Sequence, residues 1–262
     1  MSDAVLYALH EHVALITLSR PENRNSMTSE VLDGFAAAAR RAAADRGVRC
    51  VVVTGAGKYF SAGADFKSQL QREDAESVKL PHERSFAMYE PFLALLDVEV
   101  PVIGALNGHA VGGGFGLSLV CDLRLAASGA KYGANFCRLG LGPGMAITYT
   151  LPRVVGAQRA AELLFTGRLF EGDEAVSLGY ALRSLPADDV LTESLALARA
   201  IAASAPHAVR QTKAMLRQAL GYEPRAHSAL EAYAQAETID TADAREGVAA
   251  LLEKREPVFT GR

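Results

Sequence analysis

Short apolar runs alternate with amphipathic stretches along the first two thirds of the chain. Residues 12–19 (HVALITLS) set apolar and polar positions in alternation and predict a half-buried strand. Residues 28–47 (TSEVLDGFAAAARRAAADRG) carry apolar residues at helical spacing. Thr28 or Ser29 serves as cap, Glu30 sits in the first turn and Gly47 is a stop. Residues 49–55 (RCVVVTG) and 101–108 (PVIGALNG) are continuous apolar runs ending in glycine, the pattern of fully buried strands. Residues 85–98 read as a helix despite Pro91, residues 114–122 (GFGLSLVCD) as a helix, and residues 123–127 (LRLAA) as a strand. Two short helices at 157–167 and 171–179 precede a strand at 180–186. From Asp188 onward the strand signal vanishes, and residues 188–206, 207–221, 225–239 and 242–255 all have helical period. The expected organisation is an α/β body over residues 1–195 followed by a helical region over 196–262, with a recurring unit of strand, glycine turn and helix.

The glycine turns change the picture most. Two strands run into glycine-rich turns that open toward helices, VVVTGAGKYFSAGADFKSQ and VIGALNGHAVGGGFGLS. In α/β folds, ligands bind beyond the carboxyl ends of strands. Glycine there lets a ligand approach the backbone, and a helix start supplies free N–H groups and partial positive charge. Two such turns side by side would aim two N–H donors at one oxygen, an oxyanion hole without a side-chain signature. The competing motifs are missing: there is no GxxxxGK[ST], no GxGxxG, and no GxSxG at Ser61 or Ser118. The alternative is that these glycines only permit close helix–strand packing.

Bulk properties narrow the class. The 262 residues are 50% hydrophobic and 22% charged, an ordinary globular balance long enough for a large core. A net charge of −3 offers no basic field for nucleic acid. Cys50, Cys121 and Cys137 form no spaced pair and sit in apolar runs, so buried reduced thiols are expected. The first twenty residues lack a basic leader, and no apolar window reaches the ~18 residues of a membrane span. A soluble cytoplasmic protein with no membrane association is the expectation.

Five ordered motifs resemble the crotonase, or enoyl-CoA hydratase/isomerase, superfamily nearly end to end. They are LSRPENRNSM, FSAGADFK, NGHAVGGGFGLSLVCDLRLAA, LGLGPGMAITYTLPRVVG and LEKREPVFTGR. The resemblance implies a spiral of ββα turns with a C-terminal helical trimerisation region, assembled as a homotrimer or as a hexamer of paired trimers. It implies an acyl-CoA thioester as ligand, with no metal and no separate cofactor, coenzyme A entering as part of the substrate. The backbone N–H groups of Ala64 and Gly113 would form the oxyanion hole, bordered by Gly63, Asp65, Gly112 and Gly116. Glu22, Asn23 and Arg24 would follow the coenzyme A tail, Ala62 would meet the adenine, and Lys67 and Lys254 would lie near the phosphates. The resemblance puts Lys254 on a neighbouring subunit and Leu251 against the nucleotide.

The sequence departs from the family at its acids. Hydratases place one glutamate two positions after the triple glycine, here Gly116, and a second about twenty residues on, here Phe136. Some isomerases use an aspartate after the proline of GxxPD, here Gly144. Hydration needs a base to activate water and an acid to protonate carbon, and none of these three residues can be either. The space above Gly116 is expected to admit a water. Glu83 and Glu90, seven apart on one face of the helix roofing the acyl pocket, are the candidate proton carriers, against the alternative of a solvated face. His109 competes with a packed or surface histidine, Cys137 lacks a base partner, and Tyr132 reads as structural. Phe136 and the MAITYT stretch make the acyl end apolar. The expected function is isomerase-type or other enolate chemistry in place of hydration. The alternatives are a non-catalytic acyl-CoA-binding protein, or a thioester or carbon–carbon hydrolase using a bound water.

Overall fold

The computed structural model describes residues 4–64 and 80–261. Strands β1 (Val5–His10) and β2 (Val13–Leu18) form an antiparallel hairpin turned at Glu11, whose φ is 54°. The first of these strands was not separable from the second by alternation, because both halves of the hairpin share it. Helix α1 (Ser29–Ala44) starts where the Thr28 hydroxyl accepts the Val31 N–H, and it buries Val31, Leu32, Phe35 and the alanines of its inner face. Strands β3 (Cys50–Gly55), β5 (Val102–Leu106) and β7 (Leu123–Ala127) then run parallel. β3 and β5 are buried at every position, which is why they read as continuous apolar runs.

Each of these three strands is followed by a short strand that crosses to a second sheet. These are β4 (Tyr59–Ser61), β6 (His109–Val111) and β8 (Lys131–Gly133). With β9 (Phe170–Glu171) and β10 (Arg183–Leu185) the chain closes a six-stranded sheet, β1-β2-β3-β5-β7-β10, and a four-stranded sheet, β4-β6-β8-β9. This is the ββα spiral expected from the motifs. The short strands were legible only as turns, since three residues cannot establish a period.

Helix α2 (Pro81–Leu93) carries Pro91 and tightens into a 3-10 turn at Ala94–Asp97, as expected where a ring removes a backbone donor. Helix α3 (Gly113–Val120) is buried along its whole length. Arg124 holds its C-terminal end, donating to the Cys121 carbonyl at 2.6 Å and the Ser118 carbonyl at 3.1 Å. Helices α4 (Ile147–Val155), α5 (Ala157–Thr166) and α6 (Gly172–Ser177) lead to α7 (Ala187–Ala202), which packs on β3, β5 and β7. Residue 195 therefore lies inside a helix seated on the sheet. Beyond it, α8 (Pro206–Ala219) inserts Lys213, α9 (Pro224–Ile239) lies along α2, and α10 (Ala242–Glu253) packs on a 3-10 turn at Phe136–Leu139. No helix among the described residues is long and apolar enough to cross a membrane.

The thiols divide. Cys50 and Cys121 are buried, and burial lifts both pKa values to about 12. Cys137 is exposed, which corrects the expectation. The turn at Phe136–Leu139 points Phe136 and Leu139 inward and leaves Cys137 and Arg138 outside.

Candidate functional site

Parallel neighbours β4 and β6 deliver the two glycine turns to one place. After β4 comes Ala62–Gly63–Ala64, and after β6 comes Gly112, which caps α3. Gly63 has a φ of +78°, and a Cβ there would lie 2.6 Å from the Gly113 nitrogen and 2.8 Å from the Val111 carbonyl oxygen. Gly112 also has positive φ, at +56°. Both turns thus need glycine, one for the close approach and both for the conformation. Among the described residues, neither the Ala64 nor the Gly113 N–H donates a hydrogen bond within the protein. Two free donors on turns in van der Waals contact, one at the start of a buried helix, are an arrangement that stabilises negative charge on a carbonyl oxygen.

The polar turn before α1 is stitched to this region. Asn25, fully buried with a φ of 53°, donates from Nδ2 to the Ala56 carbonyl at 3.0 Å and the Tyr59 carbonyl at 2.7 Å. Its Oδ1 accepts the Arg20 N–H at 2.8 Å. The Ala62 N–H donates to the Arg24 carbonyl at 3.0 Å, and the Met27 N–H to the Gly63 carbonyl at 2.8 Å. Glu22, Asn23 and Arg24 are thereby held beside Ala62, with Glu22 and Arg24 exposed. Arg24 also lies 5.6 Å from the centre of the Tyr59 ring. Sequence reasoning missed Asn25 and Met27. Its motif contains both, but an asparagine between Arg24 and Ser26 reads as an ordinary turn residue. Met27 contributes a sulfur that sits where a Gly113 Cβ would go.

The positions of the missing acids are filled. A Cβ on Gly116 would lie 3.1 Å from Met145 Cγ and 3.3 Å from Ile147 Cδ1, and closer still to Met145 Cβ. The expected room for a water above Gly116 is corrected accordingly, since a methionine closes it. A Cβ on Gly144 would lie 2.7 Å from Tyr89 Cε2, with the phenol oxygen nearer. Tyr89 is buried, donates to Gln235 Oε1, and has its pKa raised by burial. Gln235 in turn donates to the Gly142 carbonyl at 2.8 Å. Phe136 is buried.

Each candidate proton carrier has a partner within the fold, though Glu90 keeps one buried oxygen, Oε2, without a hydrogen bond. Glu83 is exposed and accepts the Leu80 N–H at 2.9 Å, capping the start of α2. Glu90 pairs with Arg225 of α9 at 3.2 Å. His82 of the same helix stacks on Tyr233 at 4.2 Å. His109 accepts the Lys131 N–H at 2.8 Å and lies against Tyr59, and burial lowers its pKa. Tyr132 is buried and donates to the Ala127 carbonyl at 3.0 Å. Asp65 and Lys67 lie outside the described residues. Leu251 and Lys254 are exposed at the end of α10, which packs on the Phe136–Leu139 turn and on α9.

Comparison with known proteins establishes the family and the fold. Residues 9–262 match the family model described as enoyl-CoA hydratase/isomerase. YngF of Bacillus subtilis (strain 168) is 37% identical over 264 residues, covering both chains in full. EchA14 of Mycobacterium tuberculosis, named a probable enoyl-CoA hydratase, is 42% identical over 216 residues, or 82% of each chain. The crystal structure of an enoyl-CoA hydratase/isomerase from Pseudoalteromonas atlantica T6c superposes with a TM-score of 0.87 at 32% identity, covering 98% of this chain and 100% of that one. The fold is that of the crotonase superfamily. The chain belongs to the enoyl-CoA hydratase/isomerase family.

Proposed function

We infer that this protein binds an acyl-CoA thioester and polarises its carbonyl between the N–H groups of Ala64 and Gly113, and that it uses the resulting enolate for double-bond migration in place of hydration. The observation that carries this reading is Met145 seated over Gly116. The position from which a hydratase glutamate would activate water is closed by Cβ and Cγ of Met145, which supports a site that works through backbone donors alone. Charge that develops on the thioester oxygen would be met by fixed donors beside the apolar side chains of Met27, Met145 and Ile147, where such donors act strongly. Glu22, Asn23, Arg24 and Ala62 would run beside the coenzyme A tail, with Lys67, and with Leu251 and Lys254 of a neighbouring subunit in a trimer or hexamer, completing its site. The apolar wall favours a hydrocarbon or aromatic acyl group.

The test is a spectrophotometric assay with crotonyl-CoA and with 3-hexenoyl-CoA, beside calorimetric binding of both. Migration of the 3-enoyl double bond with slow or absent hydration is expected. Fast crotonyl-CoA hydration would defeat the reading. Tight binding without turnover of either thioester would favour a non-catalytic acyl-CoA-binding protein.

A further inference from the structure

Among the described residues, Glu231 on α9 is the one buried carboxylate. Its Oε1 accepts the Thr148 N–H at 2.7 Å and the Thr148 hydroxyl. Two further side chains of α9 hold the other end of the same segment. Gln235 Nε2 donates to the Gly142 carbonyl at 2.8 Å, and Thr238 Oγ1 accepts the Gly142 N–H at 2.8 Å. Residues 142–148 are thus pinned at both ends. Between the pins, Met145 and Ala146 hold positive φ values of 64° and 55°, a costly pair for non-glycine residues. The pinned segment carries Gly144 and Met145, so α9 fixes the packing at two of the vacated acid positions.

Tyr89 of α2 comes against this segment at Gly144. The atoms that a Gly144 Cβ would meet are all at the tip of its ring: the phenol oxygen, Cζ and Cε2, the last at 2.7 Å. The ring is buried and its hydroxyl donates to Gln235 Oε1, so one glutamine ties the tyrosine to the Gly142 carbonyl. With its proton committed to Gln235 and its pKa raised by burial, the phenol stands at the acid position as a wall and not as an acid. Met145, next in sequence to Gly144, closes the space over Gly116. Gly116 lies three residues from Gly113, about 4.5 Å along the axis of α3, and α2 packs on α3.

We propose that Tyr89, latched by Gln235, is the stop at the far end of the acyl site and limits the protein to short acyl groups. This rests on the thioester reading above and on the family resemblance, which points side chains at positions 116 and 144 toward the reacting carbons. Both places are taken, one by Met145 and one by the tip of the Tyr89 ring. A chain leaving the Ala64 and Gly113 donors therefore meets side chains within a few carbons. A longer chain would have to move the ring off Gly144. That parts the phenol from Gln235 and leaves both without partners in the interior, a loss that outweighs the gain from a few methylenes.

The test is calorimetric binding of saturated thioesters, butanoyl-, hexanoyl- and decanoyl-CoA, to wild type, Y89F and Y89L. In open apolar space each methylene tightens binding about fourfold, from ~0.8 kcal/mol. Wild type is expected to gain affinity up to hexanoyl-CoA and less than about twofold from there to decanoyl-CoA. Y89F keeps Cζ and Cε2 over Gly144 and is expected to keep the stop. Y89L lacks all three atoms and is expected to bind decanoyl-CoA at least about tenfold more tightly than hexanoyl-CoA, the equivalent of about two methylenes. Both variants lose the bond to Gln235, so a loss of stability alone does not separate them. Affinity that climbs steadily to decanoyl-CoA in wild type overturns the proposal, and this arm needs no variant to fold. So does a Y89L protein with the wild-type chain-length profile. Either result leaves the thioester reading standing, whereas absence of binding across the series overturns both.

Discussion

Met145 lies over Gly116 so closely that a Cβ on the glycine would meet its Cβ, with Cγ at 3.1 Å. Restoring a family-like acid is therefore not a matter of one substitution. Gly116→Glu is expected to destabilise the protein by about 1–3 kcal/mol, as overpacked cores do, and to gain no hydration of crotonyl-CoA. Gly116→Glu combined with Met145→Ala should recover part of the loss, with a coupling of at least about 0.5 kcal/mol in a double-mutant cycle read by denaturant unfolding. Additive losses would show that the two residues do not compete for the same space.

Gly63 sets the distance between the two turns. Gly63→Ala forces a Cβ to 2.6 Å from the Gly113 nitrogen at a φ of +78°. Such strain costs on the order of 1–3 kcal/mol, and the donors can escape it only by separating. Thioester binding or turnover should fall by more than tenfold even where the protein stays folded. A fully active Gly63→Ala protein would argue against a function for this contact.

Lys213 reaches from α8 into the base of the sheet. Its ammonium lies 2.7 Å from Asp122 Oδ2 and donates to the Val100 carbonyl at 2.7 Å. Asp122 also accepts the Val102 N–H at 2.8 Å, so the ion pair fixes the start of β5. Lys213→Ala leaves an unmatched carbonyl and a partly buried carboxylate whose remaining cation is Arg217 at 3.8 Å, and should cost about 1–3 kcal/mol. Lys213→Met paired with Asp122→Asn should cost less than Lys213→Ala alone. Chemical denaturation of the three variants checks this.

Much of this frame was legible in the sequence. The VVVTG and VIGAL runs could only be buried strands, and they are β3 and β5. The glycines at 63 and 112 pointed to special backbone turns, and both hold positive φ, with Gly63 also at the close approach of the two turns. What stayed hidden depended on long-range packing. Gly116 in the sequence looks like an open floor, and only the fold shows that Met145, twenty-nine residues on, closes it. Glu83 and Glu90 had the right spacing for a shared face, but spacing does not reveal that a backbone N–H and Arg225 already hold them. Glu231 gave no signal at all. In ALEAYAQAE it resembles any surface glutamate of an amphipathic helix, and its burial follows from α9 lying along α2.

The buried Glu231 makes stability depend on pH with a definite sign. Its folded pKa is raised above the ordinary 4.5 by burial. The folded state therefore holds this proton more tightly than the unfolded state. The contribution to stability is full below about pH 4.5 and is lost as pH rises through the raised value. The difference in unfolding free energy between wild type and E231Q should shift in favour of E231Q across that window and level off above it. A difference that does not vary with pH would mean that the carboxyl titrates as an exposed one.

If the proposed function holds, fixed backbone donors at Ala64 and Gly113 polarise a bound thioester where no hydratase acid stands. Infrared difference spectroscopy of a bound thioester, carbon-13 labelled at its carbonyl, reads that polarisation directly. A clear fall in the carbonyl stretching frequency on binding is expected, retained in E231Q because that variant leaves both donors in place. A carbonyl frequency unchanged from that of the free thioester in water, with binding confirmed, would contradict it.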